Sequence, residues 1–305
     1  MNNLKSMFKS TIKTIEVEEK FDLIFSRPMG YVFAVISKWC CLTPTQVSLL
    51  SMSAGIIAGY CFYFQSDIGM VGWGCFWIVL AGVLDSADGQ LARMTQKSSH
   101  LGMIIDGFVD NVVYISAYLG GLFYLLSSYG WPIFIIGAIS GLGHSLRSLI
   151  YVSYKDDCLY FYGDKSDHYR LTMDELRENN RGEKSDHDGL INRILNILYS
   201  DQAQKQWRLG TRSVEMYRQF EFEKKQRDEA FKVAYKQYFI PILTAWALVG
   251  GGNIHRFLIM GFSLLGRFDW VLYTGILLNI PCVVIWLVQR RRDRQFLASF
   301  NVSAQ

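Results

Sequence analysis

The feature that most constrains this chain is a series of apolar runs, each close to the length that crosses a lipid bilayer. A helix needs about 20 apolar residues to span about 30 Å of hydrocarbon. Runs approaching that length occur at 47–64, 69–84, 103–127, 131–153, 234–252 and 269–289. Backbone hydrogen bonds must be satisfied inside lipid, and the alternating segments of a transmembrane barrel do not occur in the sequence. The sequence therefore predicts an all-α integral membrane protein with six transmembrane helices.

The other segments divide the chain into four parts. Residues 1–46 are predicted to be a cytosolic and interfacial segment, with an amphipathic helix along the membrane surface that is broken near Pro28. Residues 47–153 are predicted to form the first four spans. Residues 154–233 are highly charged and predict a cytosolic helical insertion, with a capping box at "TMDE" (172–175). Residues 234–305 are predicted to form the last two spans and a basic tail.

The distribution of lysine and arginine predicts the orientation. The sequence "QRRRDRQ" closes the last run, and three lysines lie within the first 13 residues. The positive-inside rule then places both termini in the cytoplasm, which agrees with an even number of spans. Loops on the opposite side are expected to carry little positive charge beyond Arg256 and Arg267. The net charge of +4 is too small to argue for a nucleic-acid partner.

Four aspartates lie where the second run ends and the third begins, a place where carboxylates are costly and therefore tend to be functional. Asp85 and Asp88 are three residues apart, and Asp106 and Asp110 are four apart, so each pair shares one side of a helix. The polar stretch between Gly89 and Gly102 is expected to form a turn. Two antiparallel helices then direct four carboxylates into one pocket at the cytoplasmic membrane edge. The alternative is that these carboxylates cap helices and face water.

Four close anions repel one another unless a cation joins them. Hard divalent ions such as Mg²⁺ or Mn²⁺ bind carboxylate oxygens, and two such ions about 4 Å apart are a known arrangement for phosphoryl chemistry. Arg93 follows Asp88 by five residues and is placed to donate two hydrogen bonds to a phosphate. This combination favours a site for a phosphorylated ligand.

The pattern Asp85-x2-Asp88-Gly89-x2-Ala92-Arg93-x8-Gly102-x3-Asp106-x3-Asp110 resembles the signature of the CDP-alcohol phosphotransferase (CDP-alcohol phosphatidyltransferase) family, at all eight fixed positions. The resemblance implies that Asp85, Asp88, Asp106 and Asp110 bind two divalent ions, and that Asp110 is also the catalytic base. It further implies that Gly89, Ala92, Arg93 and Gly102 bind the CDP group. In such an enzyme the acceptor hydroxyl attacks the phosphorus next to the alcohol, and CMP leaves.

The identity of the acceptor depends on weaker signals. The segment "SRPMGYVFAVISKWCCLTPTQVSLLSMSAG" is similar to the entry segment of family members that use inositol phosphate, although Thr45 stands where asparagine is usual. This similarity favours phosphatidyl transfer from CDP-diacylglycerol to inositol phosphate. Cations near the pocket are the candidate acceptor ligands: Arg147, Lys155, Arg212 and Lys236. Each of them also fits the ordinary positive charge of a cytoplasmic helix end.

Other functions stay open at this point. Within the family, the alternative is transfer of phosphoethanolamine or phosphocholine from a CDP-amino-alcohol to a lipid alcohol. Outside it, a divalent-cation transporter also places carboxylates on membrane helices, and an intramembrane prenyltransferase also uses aspartates and magnesium. Glycines at Gly120-Gly121, Gly137, Gly141 and 250–252 allow close helix approach, within the chain or across the interface of a predicted homodimer.

Overall fold

A computed structural model describes residues 18–96, 100–162 and 229–303. After a π-helical turn at Asp22–Ser26, these ranges form the following helices, in chain order: α1 (Arg27–Trp39), α2 (Pro44–Tyr63), α3 (Ile68–Thr95), α4 (His100–Tyr129), α5 (Pro132–Tyr162), α6 (Glu229–Gly250), α7 (Gly252–Leu264), α8 (Phe268–Leu277) and α9 (Asn279–Ser303). No strand occurs within the described ranges, and the predicted all-α class is confirmed there.

Five helical stretches of the described residues are long and apolar enough to cross a membrane: Pro44–Tyr63, Ile68–Thr95, Ile105–Tyr129, Pro132–Lys155 and Phe268–Phe296. The predicted span at 234–252 falls mainly on α6, which is helical but is not one of these five candidates. The total of six spans therefore stays a prediction. Most of the predicted insertion, including "TMDE" and Arg212, lies outside the described residues.

The N-terminal helix continues through Pro28 instead of breaking there. Ser26 and Arg27 keep right-handed helical dihedral angles, so only the hydrogen-bonding pattern changes, from π to α. Pro28 is the second residue of α1 and, having no N–H, donates no backbone hydrogen bond to the π-helical turn that precedes it. Gly30 contacts Ser86 of α3, and Gln90 Nε2 donates to the Arg27 carbonyl at 2.9 Å. These contacts dock α1 along α3.

The membrane-surface location of α1 remains a prediction, but the helix has the expected two-sided character. Its buried side carries small residues, Gly30, Ala34 and Ser37. Its exposed side carries large apolar residues, Met29, Val32, Ile36 and Trp39. An exposed apolar side on a docked helix is what an interfacial helix presents to lipid.

Helix α3 is longer than the sequence pattern indicated. It runs to Thr95, and Gln96 ends it in a left-handed conformation with φ of 53°. The expected turn between Gly89 and Gly102 is therefore wrong for most of its length, since Gly102 already lies in the first turn of α4. Leu91 is fully buried, and its packing stabilises the helix beyond Gly89.

The chain divides into two compact units. The first comprises residues up to His144 together with Gly252–Leu277, and the second comprises Ser145–Gly251 and the chain from Leu278 onward. In the second unit, α6 and α9 pack through Phe239 and Phe296, whose ring centroids are 5.1 Å apart. Trp246 Nε1 also donates to Gln289 Oε1 at 2.6 Å.

In the first unit, α2 packs along both α3 and α4. Ser51 Oγ of α2 donates to the Ala81 carbonyl of α3 at 2.8 Å. On the α4 side the backbones approach so closely that a Cβ at Gly120 would lie 2.0 Å from the Gly59 carbonyl oxygen. Small residues make this approach possible, as in other membrane helix pairs. Helix α2 therefore fixes the positions of α3 and α4 together.

Three of the other predicted glycines also make close contacts within the chain, whereas a Cβ at Gly141 would have room, with its nearest neighbour, Tyr118, 3.9 Å away. A Cβ at Gly121 would collide with the Phe268 ring, and one at Gly137 with Leu122. In the second unit, a Cβ at Gly250 would lie 2.6 Å from the Arg147 carbonyl oxygen. Packing within one chain accounts for these glycines, and the homodimer stays a prediction.

Gly120→Ala is expected to lower the stability of the protein. Alanine is the better helix former by about 1 kcal/mol, but its Cβ has no room against the Gly59 backbone, and overpacking of this kind costs about 1–3 kcal/mol. The melting temperature in detergent measures the effect. Gly72→Ala is the matched control, because a Cβ there meets nothing within 4 Å. Equal melting temperatures for the two variants would contradict the close α2–α4 contact.

Candidate functional site

Two neighbouring helices bring three of the predicted carboxylates together. Asp85 and Asp88 lie on α3, and Asp106 lies on α4. One carboxylate oxygen from each residue lies within 4.8 Å of the other two. The convergence requires α3 and α4 to be held side by side, which their shared packing on α2 achieves.

The carboxylate cluster, defined here as Asp85, Asp88 and Asp106, has a closed end and an open end. Asp88 is only 5% exposed, and Asp85 is half-buried. Asp106 is exposed, as is Asp110 one helical turn further along α4. Asp110 is not part of the close group of oxygens, so its role at a second metal ion stays a prediction. A ligand can reach the cluster from the α4 side.

Ser48, at the start of α2, positions the buried end of the cluster. Its hydroxyl donates to Asp88 Oδ2 at 2.5 Å. The helix start that presents it is well defined, because Thr43 and Gln46 form a capping box and Pro44 occupies the first turn. The segment "TPTQVS" therefore has a structural reason to precede the carboxylates. Sequence reasoning noted the segment but did not single out Ser48.

The donor set fits a hard divalent cation. The group consists of carboxylate oxygens, which are the preferred ligands of Mg²⁺, Mn²⁺ and Ca²⁺. Three carboxylates this close repel one another unless a proton or a cation offsets their charge. Ser48 supplies the outer hydrogen bond that orients a ligand carboxylate in many metal sites. These residues are able to hold a metal ion.

The remaining signature residues lie on the same two helices. Gly89 faces the Arg93 guanidinium, since a Cβ at Gly89 would lie 3.6 Å from Nη2. Ala92 is half-buried on α3, and Gly102 lies in the first turn of α4. The absence of a side chain at Gly89 leaves the Arg93 guanidinium close to the backbone of the turn that carries Asp85 and Asp88.

The predicted acceptor ligands belong to the second unit where they are described. Arg147 is 1% exposed; its Nε donates to the Val249 carbonyl at 3.0 Å, and its Nη1 donates to Asn279 Oδ1. Lys155 and Lys236 are half-buried on α5 and α6. Arg212 lies outside the described residues. The contacts of Arg147 hold three helices together, and they give its predicted role as an acceptor ligand no support.

Arg256 was expected in a loop on the side of the membrane opposite the termini, but the structure places it in a helix. The residue lies on α7, and its guanidinium packs against Gly82, one helical turn before Asp85. Burial lowers the pKa of Arg256, but the nearby Tyr114, Asp110 and Asp85 outweigh it and raise the pKa above the usual value. No local pattern could reveal this contact, because Gly82 and Arg256 are 174 positions apart in the sequence.

Ser48→Ala is expected to weaken divalent metal binding about tenfold, because the oriented hydrogen bond to Asp88 is lost. Thermal melting of the detergent-solubilised protein during a MgCl₂ titration measures the effect. Ser53→Ala is the control, since that hydroxyl donates only to the Leu49 carbonyl of its own helix. The same Mg²⁺ dependence in both variants would show that Ser48 does not support the cluster.

Two comparisons with known proteins agree with this geometry. Residues 41–163 match the CDP-alcohol phosphatidyltransferase family, and this range contains all four aspartates. The chain is also 31% identical over 87 residues to the archaetidylinositol phosphate synthase of Pyrococcus horikoshii. That alignment covers 27% of this chain and 43% of the relative, so less than half of the relative's length is matched. Over residues 41–163, this chain is thus similar to the CDP-alcohol phosphatidyltransferase family, whose members are transferases.

Proposed function

We propose that this protein transfers a phosphatidyl group from CDP-diacylglycerol to a polar alcohol and releases CMP, as a step of phospholipid biosynthesis. The observation that carries the proposal is the group of three carboxylates, Asp85, Asp88 and Asp106, within 4.8 Å of one another in the stretch that matches the family. If these carboxylates only capped helices and faced water, three of them from two helices would have no reason to converge. A phosphate-bound divalent ion does.

The proposed metal ligands are Asp85, Asp88 and Asp106, with Asp110 completing a second site for Mg²⁺ or Mn²⁺. Bound there, the ions offset the charge of the diphosphate and of the departing CMP. Ser48 holds Asp88 in its ligand orientation. Arg93, close to Gly89, donates hydrogen bonds to the phosphate oxygens, and Gly89, Ala92 and Gly102 leave room for the CDP group.

Asp110 is the proposed general base. Its carboxylate is exposed on α4, where it can meet a water-soluble acceptor. One of its oxygens takes the proton of the acceptor hydroxyl, whose oxygen forms a bond to the phosphorus that carries diacylglycerol. The bond from that phosphorus to the bridging diphosphate oxygen breaks, and CMP departs with that oxygen. Positioning and charge neutralisation supply most of the rate enhancement.

Inositol phosphate is the proposed acceptor. The N-terminal segment is similar to that of inositol-phosphate-using members, and the matched relative is named as a synthase of archaetidylinositol phosphate. A phosphorylated acceptor requires cations, for which Lys155, Lys236 and Arg212 are the proposed ligands, together with Arg147 if it can release its present contacts. The proposal also places the site and both termini on the cytoplasmic side of the membrane, in a homodimer.

The test is an assay of CMP release by purified protein in detergent with Mg²⁺ and CDP-diacylglycerol. Inositol phosphate, inositol, glycerol phosphate and serine are offered one at a time. Release is expected with inositol phosphate, and Asp110→Asn is expected to reduce it at least about 100-fold because the base is lost. Asp67→Asn is the control. Asp67 caps α3 at the end opposite the cluster, and an asparagine there still offers an acceptor oxygen to the N–H groups of Gly69 and Met70.

The pattern of release also decides between acceptors and between reactions. Release with a different polyol would keep the reaction and replace the acceptor. Release only from CDP-ethanolamine or CDP-choline with a lipid alcohol would favour the other half of the family. Silence with all of these substrates, in a protein that still binds Mg²⁺, would overturn the transferase proposal.

Arg93→Gln separates the transferase from a divalent-cation transporter. In the transferase, loss of the two-pronged phosphate contact is expected to reduce CMP release by about 100-fold or more. In a transporter, cation uptake into proteoliposomes would continue almost unchanged. Arg267→Gln is the control, because the Arg267 guanidinium pairs with Asp269 at 2.8 Å and Arg267 is not one of the signature residues.

A further inference from the structure

The guanidinium of Arg256 lies against α3 at Gly82, where any side chain other than that of glycine would collide with it. A Cβ at Gly82 would lie 2.5 Å from Cζ and Nη1 of Arg256 and 2.6 Å from Nη2. The guanidinium therefore lies directly on the backbone of α3. Gly82 precedes Asp85 by three residues, so the two positions share one side of the helix. A positive charge is thus built into the helix surface that carries the carboxylate cluster.

Hydrogen bonds hold the guanidinium in that place. Arg256 Nη1 donates to Asn253 Oδ1 at 3.1 Å, and Asn253 is only 7% exposed. Asn253 Nδ2 in turn donates to Glu19 Oε2 at 2.7 Å and to Asp22 Oδ1 at 2.9 Å. The N-terminal segment and α7 therefore fix Arg256 jointly, and the arrangement is specific.

The charge of Arg256 acts on both ends of the candidate site. Asp85 and Asp110 are among the groups that interact electrostatically with its guanidinium. Its Nη1 hydrogen bond goes to an amide oxygen rather than to a carboxylate, so its influence on these aspartates is through charge. The oxygens of the cluster stay available to a metal ion. A fixed cation of this kind offsets part of the repulsion among the carboxylates, and it also repels an arriving metal ion.

We propose that Arg256 is a built-in counter-charge of the carboxylate cluster, which stabilises the metal-free site and sets the concentration of divalent ion needed to fill it. The inference rests on the proposed metal site at Asp85, Asp88 and Asp106. Arg256 is a positioning residue in this scheme, because it acts on the substrate-binding groups and not on the substrate. The protein then folds and keeps its site intact before any metal ion is bound.

The test is a MgCl₂ titration of the full chain in detergent, followed by thermal melting. Arg256→Gln is expected to melt at a lower temperature without metal, because the carboxylates lose their counter-charge. Its Mg²⁺ midpoint is expected to fall about tenfold, since removal of a nearby cation strengthens binding of another. Arg256→Lys keeps the charge and is expected to stay within about threefold of the wild-type midpoint. Arg267→Gln removes an arginine beyond the far end of α7 and is expected to leave the midpoint unchanged.

The outcomes separate this inference from the proposed function. In the wild-type protein, Mg²⁺ should raise the melting temperature, and Asp85→Asn should abolish this rise. If either result fails, the metal site itself is wrong, and the counter-charge role is overturned with it. If that shift is present and Arg256→Gln lowers only the metal-free melting temperature, Arg256 is a packing residue and the inference alone is overturned. Should Arg256→Gln not fold, Arg256→Met removes the same charge with an apolar side chain, and the same fall in midpoint is required of it.

Discussion

The candidate site depends on the backbone contact between α2 and α4. Gly59 and Gly120 lie so close there that a Cβ on Gly120 has no room. Because the two helices touch through backbone atoms, α4 cannot slide or rotate along α2 without a collision. The hydrogen bond from Ser51 to the Ala81 carbonyl holds α3 on another side of the same helix. The position of Asp106 relative to the α3 carboxylates follows from these two contacts. Small residues therefore determine how α3 and α4 lie, and within that frame the side chains of Asp85 and Asp106 hydrogen-bond to each other.

Charge placed in apolar surroundings is the second constraint. Buried ionised groups are costly unless they are paired and hydrogen-bonded, and the first unit meets this requirement in several places. Glu18 and Arg27 form a partly buried ion pair at 2.7 Å. Asp88 receives the Ser48 hydroxyl, and Arg256 lies against the helix of Asp85. The polar groups around the cluster thus offset one another instead of facing lipid.

The sequence predicted the helices and the pairing of the aspartates because both depend on local spacing. Runs of apolar residues and carboxylates three or four residues apart have the same meaning wherever they occur in a chain. The end of α3 was mispredicted for a local reason as well. The residues around Leu91 are polar enough to suggest a turn, yet burial of that one side chain keeps the segment helical.

The contribution of α7 was missed because it is a contact between distant parts of the chain. Arg256 and Asn253 lie in a short helix whose own pattern says nothing about Gly82. One signal was present: a glycine, Gly82, three residues before the first aspartate of the signature. A missing Cβ at that position indicates that something approaches the backbone closely, but it does not identify the partner. Only the folded structure identifies it as a guanidinium.

The order in which the ribosome makes the chain adds a consequence. Asp110 is made about 150 residues before Arg256, an interval of roughly 10–30 s at ordinary rates of protein synthesis. During that interval the chain contains all four aspartates but not the cation on α7. The hydrogen bonds from Asn253 back to Glu19 and Asp22 then join α7 to the first described residues of the chain.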